Sequence, residues 1–182
     1  MKNNMTAANL RSAYGGESMA YQRYKVWGKI AMQEGFRNVS RLFNAIAYAE
    51  EVHAGNHFKA HKDIEGDFLV PAMGGFGIGN TSLNLGKAIS GELFEVNEMY
   101  ATYIATAEFQ QEEGAKKSFT WAREAEKIHA DLFKEAKLSV DMGKDVGFNE
   151  VHICSICGYT TVGPIPEKCP VCGAEKTKFV SF

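Results

Sequence analysis

The sequence predicts a mainly α chain: four long helices in one bundle, followed by a small domain held together by a metal. Three observations carry this. Apolar residues recur at spacings of three and four through four segments of the first 142 residues. Three of the four prolines, Pro164, Pro166 and Pro170, fall near the C-terminus, so the body is almost free of helix breakers. All four cysteines lie between positions 154 and 172. At 182 residues, with 45% hydrophobic and 23% charged residues, the chain has the make-up of one globular domain plus a small appendage. A formal charge of −2 gives no broad attraction to nucleic acid or anionic membrane. No run of eighteen apolar residues exists, and the N-terminus lacks the apolar core of a secretory signal. With no export signal and no cysteine in the body, the four thiols read as a reduced metal cluster in a cytoplasmic protein.

The first helix is expected from about Thr6 to Gln33, with Leu10, Tyr14, Glu17, Tyr21 and Tyr24 on one stripe. The second runs from about Asn38 to Lys62, with Leu42, Ala45, Ile46, Ala49, Glu50, His53 and His57 on its stripe. The third runs from about Thr81 to Glu113, carrying Leu85, Ala88, Glu92, Glu95, Met99 and Tyr103. The fourth runs from about Gly114 to Met142, carrying Trp121, Ala125, Ile128, Leu132 and Ala136. Short links at Glu34-Gly35 and Glu113-Gly114 make two antiparallel hairpins, while the link from Asp63 to Asn80 is long. One long crossover points to a ferritin-like four-helix bundle rather than a simple up-down one. The run Gly74-Gly75-Phe76-Gly77-Ile78-Gly79 belongs to that crossover, because it lacks the spacing of a dinucleotide-binding loop and follows no strand. A linker at Gly143–Gly147 separates a bundle of residues 1–146 from a tail of residues 147–182.

The apolar stripes carry acids and imidazoles. Glu50-x-x-His53 and Glu126-x-x-His129 lie on the second and fourth helices, Glu17 on the first, and Glu92 and Glu95 on the third. Residues three apart on a helix face the same neighbourhood one turn apart. Glu17 to Glu50 is 33 residues and Glu92 to Glu126 is 34, so the hairpins repeat under a pseudo-two-fold axis. One Glu from each of two helices plus two Glu-x-x-His pairs is the ligand pattern of di-iron or di-manganese carboxylate bundles. Five buried carboxylates need about four to six positive charges nearby, which two divalent or trivalent ions supply. Oxygen and imidazole donors suit iron or manganese. The carboxylate in excess, Glu92 or Glu95, or else His53, is a candidate to exchange on and off its metal. His57 and His61 continue the series from His53 and are placed outside the ligand set. Tyr24, two turns beyond Glu17, can donate to a ligand carboxylate, as can Tyr100, five residues after Glu95. Trp27 and Trp121 read as core residues.

In the tail, Cys154-x-x-Cys157-Gly and Cys169-x-x-Cys172-Gly make a tetrahedral Cys₄ site, each glycine allowing a turn that aims backbone N–H groups at sulfur. A piece this short needs the metal to fold. Both zinc and iron accept four thiolates. Tyr159, Ile165 and Phe179 as an apolar shell, together with a redox-capable bundle, favour iron.

These motifs together resemble the rubrerythrin family: Glu17, Glu50-x-x-His53, Gly91-Glu92-x-x-Glu95, Glu126-x-x-His129, Cys-x-x-Cys-Gly-Tyr and Cys-Pro-x-Cys-Gly. The resemblance spans nearly the whole chain. It implies a ferritin-like di-iron bundle fused to a rubredoxin-like Fe(Cys)₄ domain, a homodimer (domain-swapped or not), and reduction of hydrogen peroxide in oxidative-stress defence. It also implies that Glu95 and His53 match the exchanging ligands, that Tyr24 and Tyr100 match the tyrosines beside the ligands, and that electrons cross a dimer interface. The eleven residues between the cysteine pairs are on the short side for such tails. No nicotinamide or flavin motif is visible, so a separate NAD(P)H-dependent reductase is expected to supply electrons. Two other readings are a ferroxidase on the same bundle, against which the fused Cys₄ domain argues, and a helical scaffold with a zinc ribbon.

Overall fold

The computed structural model describes all residues, Met1–Phe182. Four long helical runs form the bundle, and three short strands and a helical turn form the tail. Helix α1 spans Asn4–Gln33 and α2 spans Arg37–Ala60. The third run is not one α-helix. Helix α3, Thr81–Phe94, passes into a π-helical segment, Glu95–Met99, and then into α4, Tyr100–Phe109. It stops four residues short of the expected end at Glu113, and α5 spans Glu113–Asp141.

The two hairpins turn in the same way. In the first, Gly35 takes φ +92°, with Gly35 N–H on Met32 O and Phe36 N–H on Ala31 O. In the second, Gln111 takes φ +58°, with Gln111 N–H on Glu108 O and Glu112 N–H on Ala107 O. Both are Schellman closures, which satisfy the last carbonyls of a helix through one left-handed residue. Glu17 lies 16 residues before the end of α1 at Gln33, and Glu92 lies 17 before the end of α4 at Phe109. The turns and the following stretches to Glu50 and Glu126 are equal in length. The single extra residue is therefore the π-helical one, and it accounts for the mismatch between 33 and 34.

The crossover of residues 61–80 lies along the bundle and is the loop expected. Asn84 holds Gly79 by both its N–H and its C=O, and Asn80 caps α3 by accepting from Leu83 N–H. Trp27 donates Nε1–H to Gly77 O, and Val70 lies where any side chain on Gly15 would go. A core of alanine, leucine and aromatic residues fills the end of the bundle around Tyr24, Trp27, Phe43 and Phe133. Tyr14, expected on the buried stripe of α1, is instead 38% exposed.

The Gly143–Gly147 stretch is no free tether. Gly143 closes α5, Asp145 accepts from the Asn38 and Val39 N–H groups at the start of α2, and Val146 is buried in the core. Strands β1 (His152–Cys154), β2 (Thr160–Thr161) and β3 (Phe179–Ser181) form an antiparallel sheet in the order β2-β1-β3. Val151 and Ile153 join the core of the bundle, and Phe182 packs on Tyr48. No helix is long and apolar enough to cross a membrane.

Candidate metal centres

Helical spacing brings the predicted acids and imidazoles to one place in the middle of the bundle. Ligand atoms of Glu17, Glu50, His53 and Glu126 lie within 4.8 Å of one another, and so do those of Glu50, Glu92, Glu126 and His129. Glu50 and Glu126 belong to both groups, which makes two adjacent positions sharing two carboxylates. His53 Nδ1 is 2.8 Å from Glu126 Oε1 and 2.9 Å from Glu50 Oε2. His129 Nδ1 is 2.5 Å from Glu126 Oε2 and 3.5 Å from Glu50 Oε1. Glu95 is partly exposed and stands outside both groups, although it is close enough for Glu126 and Glu50 to act on its charge.

All six grouped residues are at most 1% exposed, so water cannot stabilise their charge. Burial, reinforced by the neighbouring carboxylates, pushes Glu17, Glu92 and Glu95 well above the usual carboxylate range. Burial opposes charge on Glu126 too, but His53 and His129 on either side hold it below that range. Burial works against charged imidazoles, yet Glu126 and Glu50 raise His53 to about 10 and His129 to about 9. Glu17 Oε2, Glu50 Oε1, Glu92 Oε2, both Glu126 oxygens and His129 Nδ1 are buried without a directed hydrogen bond. Buried polar atoms are normally satisfied. Six orphans converging on one spot, all oxygen or imidazole nitrogen, fit a pair of divalent cations of the iron or manganese type.

Each tyrosine crosses to the other hairpin. Tyr24, on the same helix as Glu17, donates to Glu92, and Tyr100 donates to Glu17. Burial, with those carboxylates adjacent, raises both phenols well above their ordinary value, so each remains a donor. His57 lies outside both ligand groups, as expected, but it reaches the site through a neighbour. Its Nε2 is 2.8 Å from Tyr100 Oη and its Nδ1 is 2.8 Å from Ser118 Oγ. Burial lowers it to about 3, and the charge of His53 presses the same way, so the ring is neutral. His61 is remote, with Arg11 Nη1 2.9 Å from its Nε2.

The four cysteine sulfurs also converge within 4.8 Å and form no disulfide. Two matched loops present them. Gly158 N–H bonds Cys154 O and Cys154 N–H bonds Tyr159 O. Gly173 N–H likewise bonds Cys169 O, and Cys169 N–H bonds Ala174 O. Backbone N–H groups of Ile156, Cys157, Tyr159 and Ala174 point at sulfur, as the glycines after each pair led us to expect. The Sγ separations of 3.7 Å (Cys154–Cys172) and 3.6 Å (Cys157–Cys169) match thiolates at about 2.3 Å from a central tetrahedral metal. Tyr159, Val171, Ala174, Phe179 and Trp121 pack around this cluster. Ile165, assigned to that shell from the sequence, is not among them. Trp121 is not a core residue of the bundle but sits between α5 and the tail, half-buried beneath Lys117.

The tail docks on its own bundle. Thr160 Oγ1 is 2.8 Å from His129 Nε2, and Asn56 Nδ2 donates to Ile156 O at 2.8 Å. A Cβ placed on Gly158 would lie 2.0 Å from His53 Nε2. Both site histidines thus turn Nδ1 toward the carboxylates and Nε2 toward the loop that carries Cys157. The resemblance implies electron transfer across a dimer interface; within one chain, the loop that carries Cys157 already lies against both site histidines. Nothing in the sequence signalled this docking, because it runs through backbone, a glycine, a threonine and an asparagine.

The rubrerythrin family model matches residues 8–137, and the rubrerythrin rubredoxin-like domain matches residues 152–180. The chain is 49% identical to rubrerythrin-2 of Clostridium acetobutylicum, over 100% of this chain and 99% of that one. It is 34% identical to nigerythrin of Nitratidesulfovibrio vulgaris, over 97% and 86% of the two chains. The structure of nigerythrin in its fully reduced, all-ferrous state superposes with a TM-score of 0.86 at 32% identity, again over 97% and 86%. A ferritin-like bundle with a di-iron site built from carboxylate and histidine clusters, followed by a four-cysteine rubredoxin-like domain, therefore places this chain in the rubrerythrin family.

Proposed function

We propose that the chain is a peroxidase that reduces hydrogen peroxide to water, with electrons relayed through an iron in the Cys₄ site from a separate NAD(P)H-dependent reductase. One observation supports this above the others: the cysteine loop rests on both site histidines through Gly158 and Thr160. Glu17, Glu50, His53, Glu92, Glu126 and His129 would hold the two irons, and Cys154, Cys157, Cys169 and Cys172 the third. Loaded with iron, the bundle site would supply the two electrons that reduction of peroxide to two waters requires. The chain's own residues do the rest. Glu50 and Glu126 hold the two positions side by side, and Tyr24 and Tyr100 tie Glu92 and Glu17 in place by hydrogen bonds. Glu95, close by but outside both ligand groups and with its carboxyl raised by burial, is available to carry a proton or to enter the ligand set. His129 Nε2–H, Thr160 Oγ1 and Gly158 O form a hydrogen-bonded link that ends beside Cys157.

A ferroxidase would use the same carboxylates but has no need of a docked one-electron donor. Stopped-flow reaction of the reduced, iron-loaded protein with peroxide tests the proposal. Rapid oxidation by peroxide, followed by re-reduction that Cys154→Ser abolishes while the bundle keeps its iron, is the expected result. Full turnover with NADH and a reductase in that variant would exclude the relay.

A further inference from the structure

The pseudo-two-fold relation gives side chains near the carboxylates a counterpart in the other hairpin, and one set differs in kind. His57 lies seven residues after Glu50, and Phe133 seven after Glu126. Phe133 meets the Tyr24 ring edge-on with centroids 5.3 Å apart, and His57 meets the Tyr100 ring at 5.7 Å. Eight residues before Glu126 stands Ser118, and eight before Glu50 stands Leu42. Where one half has Leu42, Phe133 and Tyr24, the other has Ser118, His57 and Tyr100. All six are buried. Packing does not call for a histidine, since a phenylalanine fills the equivalent place.

The protons of the polar trio can be assigned. A metal-bound Glu17 carboxylate only accepts, so the one phenolic proton of Tyr100 goes to it. The Tyr100 oxygen can then only accept from His57, which must carry its proton on Nε2. His57 Nδ1 is left bare and accepts from Ser118 Oγ–H. We propose that His57 is a positioning residue: as the Nε2–H tautomer it donates to Tyr100 and commits the phenol proton to Glu17. Tyr24, facing Phe133, has no such support, so the metal position built with Glu17 and His53 is held more firmly on its tyrosine side than the one built with Glu92 and His129.

The activity arm of the test rests on the peroxidase reading, and the spectroscopic arm does not. In the full chain loaded with zinc instead of iron, ¹⁵N-histidine spectra are expected to show His57 protonated at Nε2 and bare at Nδ1. A proton on Nδ1, or on both nitrogens, would overturn the proposal. In the iron-loaded protein, His57→Phe copies the other hairpin and is expected to keep metal content, with a melting temperature lowered modestly because buried Ser118 loses its partner. Its peroxide turnover should fall about tenfold, the size of one lost buried hydrogen bond. His57→Gln, whose amide N–H can reach Tyr100, is expected to recover most of the loss. Parent-like turnover in His57→Phe, or no recovery in His57→Gln, would also overturn it. Absence of peroxide turnover in the parent would sink the peroxidase reading and leave the tautomer to decide this one.

Discussion

The two hairpins of the bundle carry the same candidate ligands by different local means. Glu17 and Glu92, Glu50 and Glu126, His53 and His129, and Tyr24 and Tyr100 correspond, and both hairpins close through a Schellman turn. Yet Tyr24 follows Glu17 by seven residues, while Tyr100 follows Glu92 by eight. In a continuous α-helix, eight residues would swing Tyr100 about 80–100° off the glutamate's face. The wider π turn at Glu95–Met99 absorbs the extra residue and returns Tyr100 to Glu17. It also leaves Glu95, which has no counterpart in α1, beside the site. The comparison shows that symmetry here is kept at the ligands and broken one shell out, at the π turn, at His57 and Phe133, and at the tail contacts.

The strongest way to break the comparison is through the carboxylates that both positions share. Glu126 approaches both histidines, whereas Glu17 serves only the His53 group. Glu126→Ala is expected to abolish metal binding in the bundle at both positions. Glu17→Ala is expected to leave the His129 position able to bind one ion. Titration of each metal-free variant with zinc, counting ions bound beyond the one in the Cys₄ site, distinguishes them. Equal loss in the two variants would mean that the positions fill only as a pair.

Much of this site was legible because helical periodicity is a strong signal and buried acids violate it visibly. Glu50-x-x-His53 and Glu126-x-x-His129 declare their faces by spacing alone, and the cysteine pairs declare theirs. The π turn has no residue signature of its own. Its trace was the mismatch between 33 and 34, which a pseudo-two-fold reading passes over as irregularity. His57 was visible as a buried-stripe residue, but its partners come from α4 and α5, which sequence spacing on α2 cannot register. Gly158 is legible as a turn glycine, and the structure adds a second reason for it that only tertiary packing supplies.

Gly158 and Gly173 allow the docking contact to be separated from the turn. Both take a left-handed conformation in matched cysteine loops, φ +81° and +78°. A Cβ on Gly158 meets His53, while one on Gly173 meets nothing within 4 Å. Each alanine variant should pay about 1–2 kcal/mol for its backbone. Only Gly158→Ala should also push the tail away from the bundle. Faster amide exchange across Ile153–Thr161 and slower re-reduction are expected in that variant alone. Identical behaviour of the two would mean that the His53 contact contributes nothing.

Acid–base behaviour of the metal-free protein sharpens the comparison between site and surface. Glu17, Glu92 and Glu95 have raised folded-state values, as have His53 and His129, at about 10 and 9. A raised value means that the folded state holds protons the unfolded chain releases, so stability falls as pH rises. For the glutamates that loss begins in the usual carboxylate range, where the unfolded chain ionises, and continues up to their raised values. For the histidines it runs from about 6.5 up through 9 and 10. Glu126 and His57, both lowered, act oppositely, but only below about pH 6.5, and Cys154, lowered to about 5, offsets part of the loss from the two histidines. The melting temperature of metal-free protein should therefore fall between pH 6 and 9. Zinc should flatten the slope and release protons as it binds. A metal-free protein that grows more stable across that interval would contradict these charge states.

The smallest effect expected comes from the turns. Gly35 occupies the left-handed position of the first hairpin without penalty, but Gln111 occupies the same position in the second with φ +58° and an exposed side chain. A residue with a Cβ costs about 1–2 kcal/mol there, and glycine returns about 0.4–1 kcal/mol of that as extra freedom of the unfolded chain. Gln111→Gly should thus stabilise the protein by roughly 0.5 kcal/mol. Gly35→Ala should destabilise it by about 1 kcal/mol, since it inserts the strain and restricts the unfolded chain only modestly. Denaturant midpoints at constant slope read both. Opposite signs in the two variants would show that the hairpins are equivalent in their backbone path and differ only in how much strain each sequence tolerates. A loss of stability in Gln111→Gly would mean that the second turn is held by side-chain contacts around Gln110 and Glu112, which already bind Thr6 and Asn3 at the start of α1. In that case the second hairpin would owe its closure to the N-terminus of the chain, a dependence for which the first has no equivalent.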